Sequence, residues 1–180
     1  MNLRLFYALW PDLSTRATLA GEDRTLFAGN GGKMVSPDDY HLTLRFLGTV
    51  GSDALPDLED LGERAARVTA PSLVDLDMVE WWREPAVMVR IARVTPAPLQ
   101  RLDELLTVGL KAAGIATDPK PLKLHLTLVR GVKPHPLGTG ACPPLSWSAD
   151  ALALVESTGA AKGPRYKVRK QWPFQGMAVG

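Results

Sequence analysis

A single cysteine, Cys142, in 180 residues leaves no internal disulfide framework and suits a reducing compartment. No apolar run approaches the roughly 18 residues that a bilayer-spanning helix needs. The opening NLRLFYALW alternates polar and apolar side chains and lacks a small-residue cleavage site, so it reads as a strand rather than a signal. A cytoplasmic protein with no membrane attachment is expected. Net charge is small as well, a formal +2, and 22% charged with 46% hydrophobic residues is an ordinary globular composition that makes disorder of the whole chain unexpected and fits one globular core or two small lobes. Histidine is rarer still, with three in the chain.

The charge is unevenly distributed. Residues 1–118 carry 12 Lys/Arg against 17 Asp/Glu, a net −5, whereas residues 119–180 carry 9 against 2, a net +7. A positive field in the last third would attract and steer an anionic partner. Its densest part is KGPRYKVRK, where Arg165, Lys167 and Arg169 alternate with Tyr166 and Val168 as on a strand with one wet face. A basic edge that discourages strand pairing accounts for the same pattern.

Strand patterns occur near 3–9, 41–47, 72–80, 86–93, 122–129, 147–156 and 164–169. Helical patterns run from Pro11 and Asp12 to Phe27, from a Ser52 cap to Val68, and along Leu99, Leu102, Leu105, Leu106 and Leu110 to a stop at Gly114. GNGGK at Gly29 to Lys33 has the wrong glycine spacing for a phosphate loop, and Met34 stands where Ser or Thr should follow the lysine, so it reads as a connection. The Pro- and Gly-rich stretch Val132 to Pro144 reads as a surface excursion that carries His135 and Cys142 as loop residues.

Two of the three histidines sit in a repeat. YHLTLRFLG contains HLTL at 41–44, and KLHLTLVRG contains it again at 125–128, 84 residues later. Each copy follows a strand and a helix, so strand, helix, HLTL strand occurs twice, as an internal duplication would produce. Period-2 alternation puts His41, Thr43 and Arg45 on one face and Leu42, Leu44 and Phe46 on the other. It likewise separates His125 and Thr127 from Leu126 and Leu128. Two lobes facing a common cleft would bring both imidazoles and both hydroxyls together.

A pair of imidazoles can take a proton from a nucleophile and give one to a leaving group. A hydroxyl two residues on can bind an oxyanion, and phosphoryl transfer needs much positioning and little covalent help. A lone His-x-Thr in a strand is ordinarily a satisfied, partly buried histidine; its duplication is what favours chemistry. Metal binding is the other use of histidine pairs, but neither HLTL carries Asp, Glu or Cys on the same face to complete a shell. No cofactor is expected.

These paired His-x-Thr strands, with RLFYALWP before them and LVES…RYKVRKQWPF after them, resemble the 2H phosphoesterase superfamily in order and spacing. The resemblance is closest to its RNA 2′,3′-cyclic phosphodiesterase branch, historically called 2′-5′ RNA ligase, and extends over nearly the whole chain. It implies an α+β fold in which residues 1–180 form one bilobal, pseudo-twofold domain of two intertwined lobes, with antiparallel sheets lining a central cleft. It also implies a metal-independent enzyme, expected here as a monomer, that opens a 2′,3′-cyclic phosphate at an RNA end to a 2′-phosphomonoester, with reversible 2′-5′ joining in some members. By the same resemblance His41 is the proton donor to the 3′ oxygen, His125 the proton acceptor from water, and Thr43 and Thr127 bind phosphate oxygens.

Arg130 matches the arginine that follows the second motif in this branch, and an Arg fork suits phosphate. Alternation places it on the Leu126 face, so a bulge or a strand end before Gly131 is needed to turn it to the cleft. Arg45, on the His41 face, is expected to bind substrate or line the cleft. Leu124 stands where the branch often has proline. A silent RNA-binding module and a 2H enzyme for a small cyclic nucleotide phosphate remain the rival readings.

Overall fold

The computed structural model describes residues 1–27, 31–134, 139–159 and 165–177. Among these residues the strands are β1 (Asn2–Leu9), β2 (Lys33–Met34), β3 (Leu42–Gly51), β4 (Ser72–Trp82), β5 (Val87–Ile91), β6 (His125–Arg130), β7 (Gly140–Ala149), β8 (Ala151–Ser157) and β9 (Tyr166–Pro173). The helices α1 (Leu13–Phe27), α2 (Leu55–Val68) and α3 (Ala97–Ala112) interrupt them. Asp12 caps α1: its Oδ1 accepts from the Thr15 amide at 2.7 Å and from the Ser14 hydroxyl at 3.1 Å. Gly114, at φ +72°, closes α3 where the leucine pattern ends.

All nine of these strands belong to one antiparallel sheet, ordered β7-β4-β5-β6-β3-β1-β8-β9, with β2 on β6. The order is two four-stranded halves joined at β3 and β6, each half led by an HLTL strand and the strand preceding its helix. The joint is narrow, for the registered pair between the halves is Leu42 opposite Leu126. Chain connections cross it, since β3 leads through α2 to β4 in the other half and β7 leads back to β8.

One face of the sheet carries the main core. Leu99, Leu102, Leu106 and Leu110 of α3 and Leu58 and Ala65 of α2 join Leu42, Leu126, Leu152 and Leu154 from the strands there. Each fully buried leucine contributes about 1.5–3 kcal/mol. Two glycines permit the close packing: a Cβ on Gly109 of α3 would collide with the Leu61 side chain, and one on Gly62 of α2 would come within 2.6 Å of the Trp172 ring. The opposite face holds two smaller apolar clusters, Phe6, Ala8, Ala153 and Val155 in one half and Val87, Val89 and Ile91 in the other.

The expected alternation fails at bulges, and these decide which side chains reach that second face. Against β1, Tyr7 pairs with Arg45 and Ala8 with Thr43, which leaves Leu44 as the extra residue. Against β5, Met88 pairs with Val129 and Val89 with Thr127, which leaves Leu128 extra. Both HLTL strands therefore bulge at the same leucine of the repeat, and the side chains that follow change face, in β3 until a second shift at Leu47. Phe46, expected in the core, is 42% exposed, and Arg45 turns into the protein.

Arg45 is thus a correction. Its Nε and Nη2 donate to the two Asp103 carboxylate oxygens of α3, each at 2.5 Å, and Nη1 donates to the Asp118 carbonyl at 2.8 Å. The guanidinium ties β3 to α3 and to the segment leading to β6, and it neither lines the cleft nor has a donor fork left for substrate. Two further expectations change. The strand expected at 147–156 is two, β7 and β8, and Cys142 lies in β7 rather than in a loop. Pro143 and Pro144 are tolerated because β7 is an edge strand and is irregular there, with Leu76 opposite Leu145 and Met78 opposite Ala141. That irregularity aims the Pro143 carbonyl and the Cys142 sulfur at Arg90, which is 1% exposed. His135 lies outside the described residues.

Removing one partner of a buried, bidentate pair strands the other charge. Asp103→Ala is expected to lower unfolding free energy by about 3–5 kcal/mol in urea titration, while the turnover of the folded fraction stays at the original value. A specific loss of turnover in a fully stable variant would return Arg45 to the site.

Candidate active site

The Leu42–Leu126 pair is the geometric origin of the site. Both leucines point into the main core, so their chain neighbours point to the other face. Continuing the antiparallel register one residue each way sets His41 across from Thr127 and Thr43 across from His125. The four side chains line one cavity of about 200 Å³, together with Arg130, Tyr166, Trp82, Pro85 and Val87. Arg130 arrives there because the Leu128 bulge shifts the face of the residues after it, as the sequence required.

Each imidazole is oriented in the same way. His41 Nδ1 lies 2.7 Å from the Asp39 carbonyl and His125 Nδ1 lies 2.8 Å from the Lys123 carbonyl, both two residues upstream. A carbonyl can only accept, so Nδ1 carries the hydrogen in both rings. In the neutral rings Nε2 then holds the lone pair, ready to take a proton.

The surroundings of the two rings differ. His41 is enclosed by aromatics: Trp10 stacks on it at 5.3 Å with planes 10° apart, Phe6 lies at 5.1 Å, and Tyr166 meets it edge-on at 4.8 Å. Burial in this cage pushes its pKa down to about 4, and the positive partners His125 and Arg130 push the same way against the Asp39 carbonyl. Among the described residues His125 has one aromatic wall, Trp82 at 4.6 Å. Burial lowers its pKa as well, helped by the Lys123 and Arg130 charges and opposed by the Lys123 carbonyl and Glu80.

A larger cavity of about 660 Å³ shares Arg130 and Tyr166 with the first and is also lined by Lys33, Ser36, Asp39 and Arg165. Of the basic run at the C-terminal end, Arg165 reaches this wall, whereas Arg169 is bound to Glu156 at 3.1 Å. Lys33, expected in a mere connection, is brought here by pairing of β2 with β6 opposite Arg130. Among the described residues no group of three or more His, Cys, Asp or Glu is placed to hold a metal ion.

Tyr166, Trp10, Phe6 and Trp82 are the site residues that sequence reasoning missed. Tyr166 carried a usable signal, since it alternates with the basic residues of its strand and so had to face away from them. Trp82 carried none. It reaches this face because of the shift at Asp77 between β4 and β7, and such a shift is invisible in DMVEWW.

Known proteins resemble this chain in sequence and in fold. The family model described as LigT like Phosphoesterase matches residues 14–87. An RNA 2′,3′-cyclic phosphodiesterase of Thermus thermophilus is 34% identical over 97% of this chain and 91% of its own length, and one of Escherichia coli is 28% identical over 94% and 95%. Among solved structures, Escherichia coli LigT complexed with 3′-AMP superposes with a TM-score of 0.85 at 25% identity, covering 97% of this chain and 99% of that one. A solved structure from Thermus thermophilus gives a TM-score of 0.81 at 32% identity over 98% and 100%. With its two bulged HLTL strands meeting at one leucine pair, the chain belongs to the LigT-like phosphoesterase family.

Proposed function

We propose that this chain hydrolyses 2′,3′-cyclic phosphate ends of RNA to 2′-phosphomonoesters, with residues 1–180 working as one unit around the joint of the two half-sheets. The observation that carries the reading is the convergence of two imidazoles, both with Nε2 unengaged by the backbone, and two threonines in a single cavity. His125 Nε2 takes a proton from water as the water oxygen bonds to phosphorus. The bond from phosphorus to the 3′ oxygen breaks, and His41 Nε2–H gives that oxygen its proton. Thr43, Thr127 and Arg130 hold the nonbridging oxygens, which keep their negative charge throughout. The two histidines end with exchanged protonation and are reset through solvent, and the same pair could run the analogous 2′-5′ joining of RNA ends, with a hydroxyl in place of water.

Burial holds both rings neutral in the free protein, which suits a base but not an acid. The anionic phosphodiester supplies the missing bias, because a negative charge beside His41 favours its imidazolium. The larger cavity favours an RNA chain over a small cyclic nucleotide: beyond the cyclic phosphate it offers Lys33 and Arg165 along a further path, which a mononucleotide would leave unused.

Alanine at His41 or at His125 is expected to lower turnover by roughly 10²–10⁴ with the fold intact, and the double variant to be far from additive. Turnover should survive a chelator and follow a bell-shaped pH profile. Its acid limb in kcat/KM should lie below the ordinary histidine value near 6.5, because the folded rings release their protons more readily than free ones. Near-normal turnover in either folded single variant would remove that residue from the mechanism.

Lys33→Gln and Arg165→Gln should weaken binding of a cyclic-phosphate oligonucleotide and lower the slope of log Kd against log salt by about 0.7 for each phosphate no longer neutralised. Binding of a mononucleotide 2′,3′-cyclic phosphate should change little. Equal effects on both ligands would place the RNA chain elsewhere.

A further inference from the structure

We propose that Glu80 is a positioning residue for His125, acting through the indole that walls the imidazole and through the lysine whose carbonyl orients it; the proposal rests on the catalytic reading of His125 given above. Glu80 sits in β4, two strands away from the motif. Its Oε2 accepts the Trp82 indole N–H at 2.6 Å, and its two oxygens accept from the Lys123 ammonium at 2.9 and 2.7 Å. The Lys123 ammonium in turn lies 5.6 Å over the Trp82 ring. One carboxylate thus binds both supports of His125, the Trp82 ring at 4.6 Å and the residue that supplies the Nδ1 acceptor.

The backbone explains how Glu80 comes to face the site. Val74 and Leu76 of β4 point to the main core, and without a shift so would Glu80 and Trp82. The irregularity between Leu76 and Met78 exchanges the faces, so that Val79 enters the main core and Met78 and Trp82 join the cleft-side cluster. In register, Glu80 pairs with Val89, and Val89 pairs with Thr127, so the carboxylate lies on the row of the second motif. Burial would raise the Glu80 pKa, but the bonds from Lys123 and Trp82 outweigh it and hold the group ionised.

A group that merely braced β4 would not need three hydrogen bonds converging on it beside a catalytic ring. The other half is built differently: around His41 the rings are Phe6, Trp10 and Tyr166, the cation over Trp10 is Arg16 at 5.9 Å, paired with Asp38 at 3.4 Å, and the residue two before the histidine is Asp39 rather than a lysine. The titratable groups facing His125 are Lys123, Arg130, Glu80 and the neutral His41 ring, and Glu80 is the anion among them. Its removal leaves the Lys123 charge uncompensated next to the imidazole.

The test is Glu80→Gln in the full chain, read in two ways. Histidine titration by NMR, with His125 assigned by its loss in His125→Asn, needs no substrate; the His125 midpoint should move to lower pH. With cyclic-phosphate oligonucleotide, kcat should fall about tenfold with KM nearly unchanged, and the acid limb of kcat/KM should move with the NMR midpoint. Trp82→Phe keeps an aromatic wall but loses the bond to Glu80, so kcat should fall while the Glu80–Lys123 pair holds the His125 midpoint. An unshifted midpoint and unchanged kcat in folded Glu80→Gln would overturn the proposal, as would full kcat in Trp82→Phe should Glu80→Gln fail to fold. Failure of the original chain to open cyclic phosphates would instead sink the reaction, and the NMR midpoint would still report on Glu80.

Discussion

The candidate site depends on one pair of leucines. Leu42 and Leu126 join two half-sheets through the core, and because side chains alternate along strands, burying the leucines forces the flanking His-x-Thr residues to the opposite face. Antiparallel pairing then crosses the motifs, each histidine beside the other's threonine. A slip of one residue would send an imidazole into the hydrocarbon core. The buried area of the leucines and the placement of the His-x-Thr side chains are thus two consequences of one register.

Bulges refine that arrangement. In each HLTL strand the extra residue is the second leucine, and the change of face after it separates the fates of two arginines. In β6 it turns Arg130 to the cavity; in β3 it turns Arg45 into the Asp103 carboxylate, where it binds the second half-sheet's helix to the first half's strand. The two copies of the motif share the backbone device and differ in what the device presents. The same is true of β4, where an irregular pairing against an edge strand carries Glu80 and Trp82 to the cleft.

The two imidazoles are held alike and surrounded differently. Identical Nδ1 bonds to upstream carbonyls select the same tautomer and aim the same nitrogen, which is the requirement common to an acid and a base. In the proposed mechanism their roles separate through environment: three aromatic rings desolvate His41, while His125 lies among a lysine, an arginine and a carboxylate. A desolvated ring responds most strongly to an arriving anion, because little water is present to screen it.

How much of this was legible in the sequence follows from the range of each cause. The repeated HLTL, its alternation, the three helices and the leucine face of α3 are local properties of the chain, and the sequence alone determined them. So did it determine the pairing of histidine with threonine, since two residues apart on a strand share a face wherever the strand goes. The ends of that alternation were not local: whether Arg45 faces cleft or core depends on an extra residue opposite β1, and its partner Asp103 is 58 positions away. Tyr166, Trp82 and Glu80 reach the site from β9 and β4, strands that the sheet order separates from the motifs by two strands and by one. The chemistry was written in the strands themselves, and the surroundings that tune it were decided by how the other strands are ordered and registered around them, because register and bulges are properties of pairs of strands and no single stretch contains both partners.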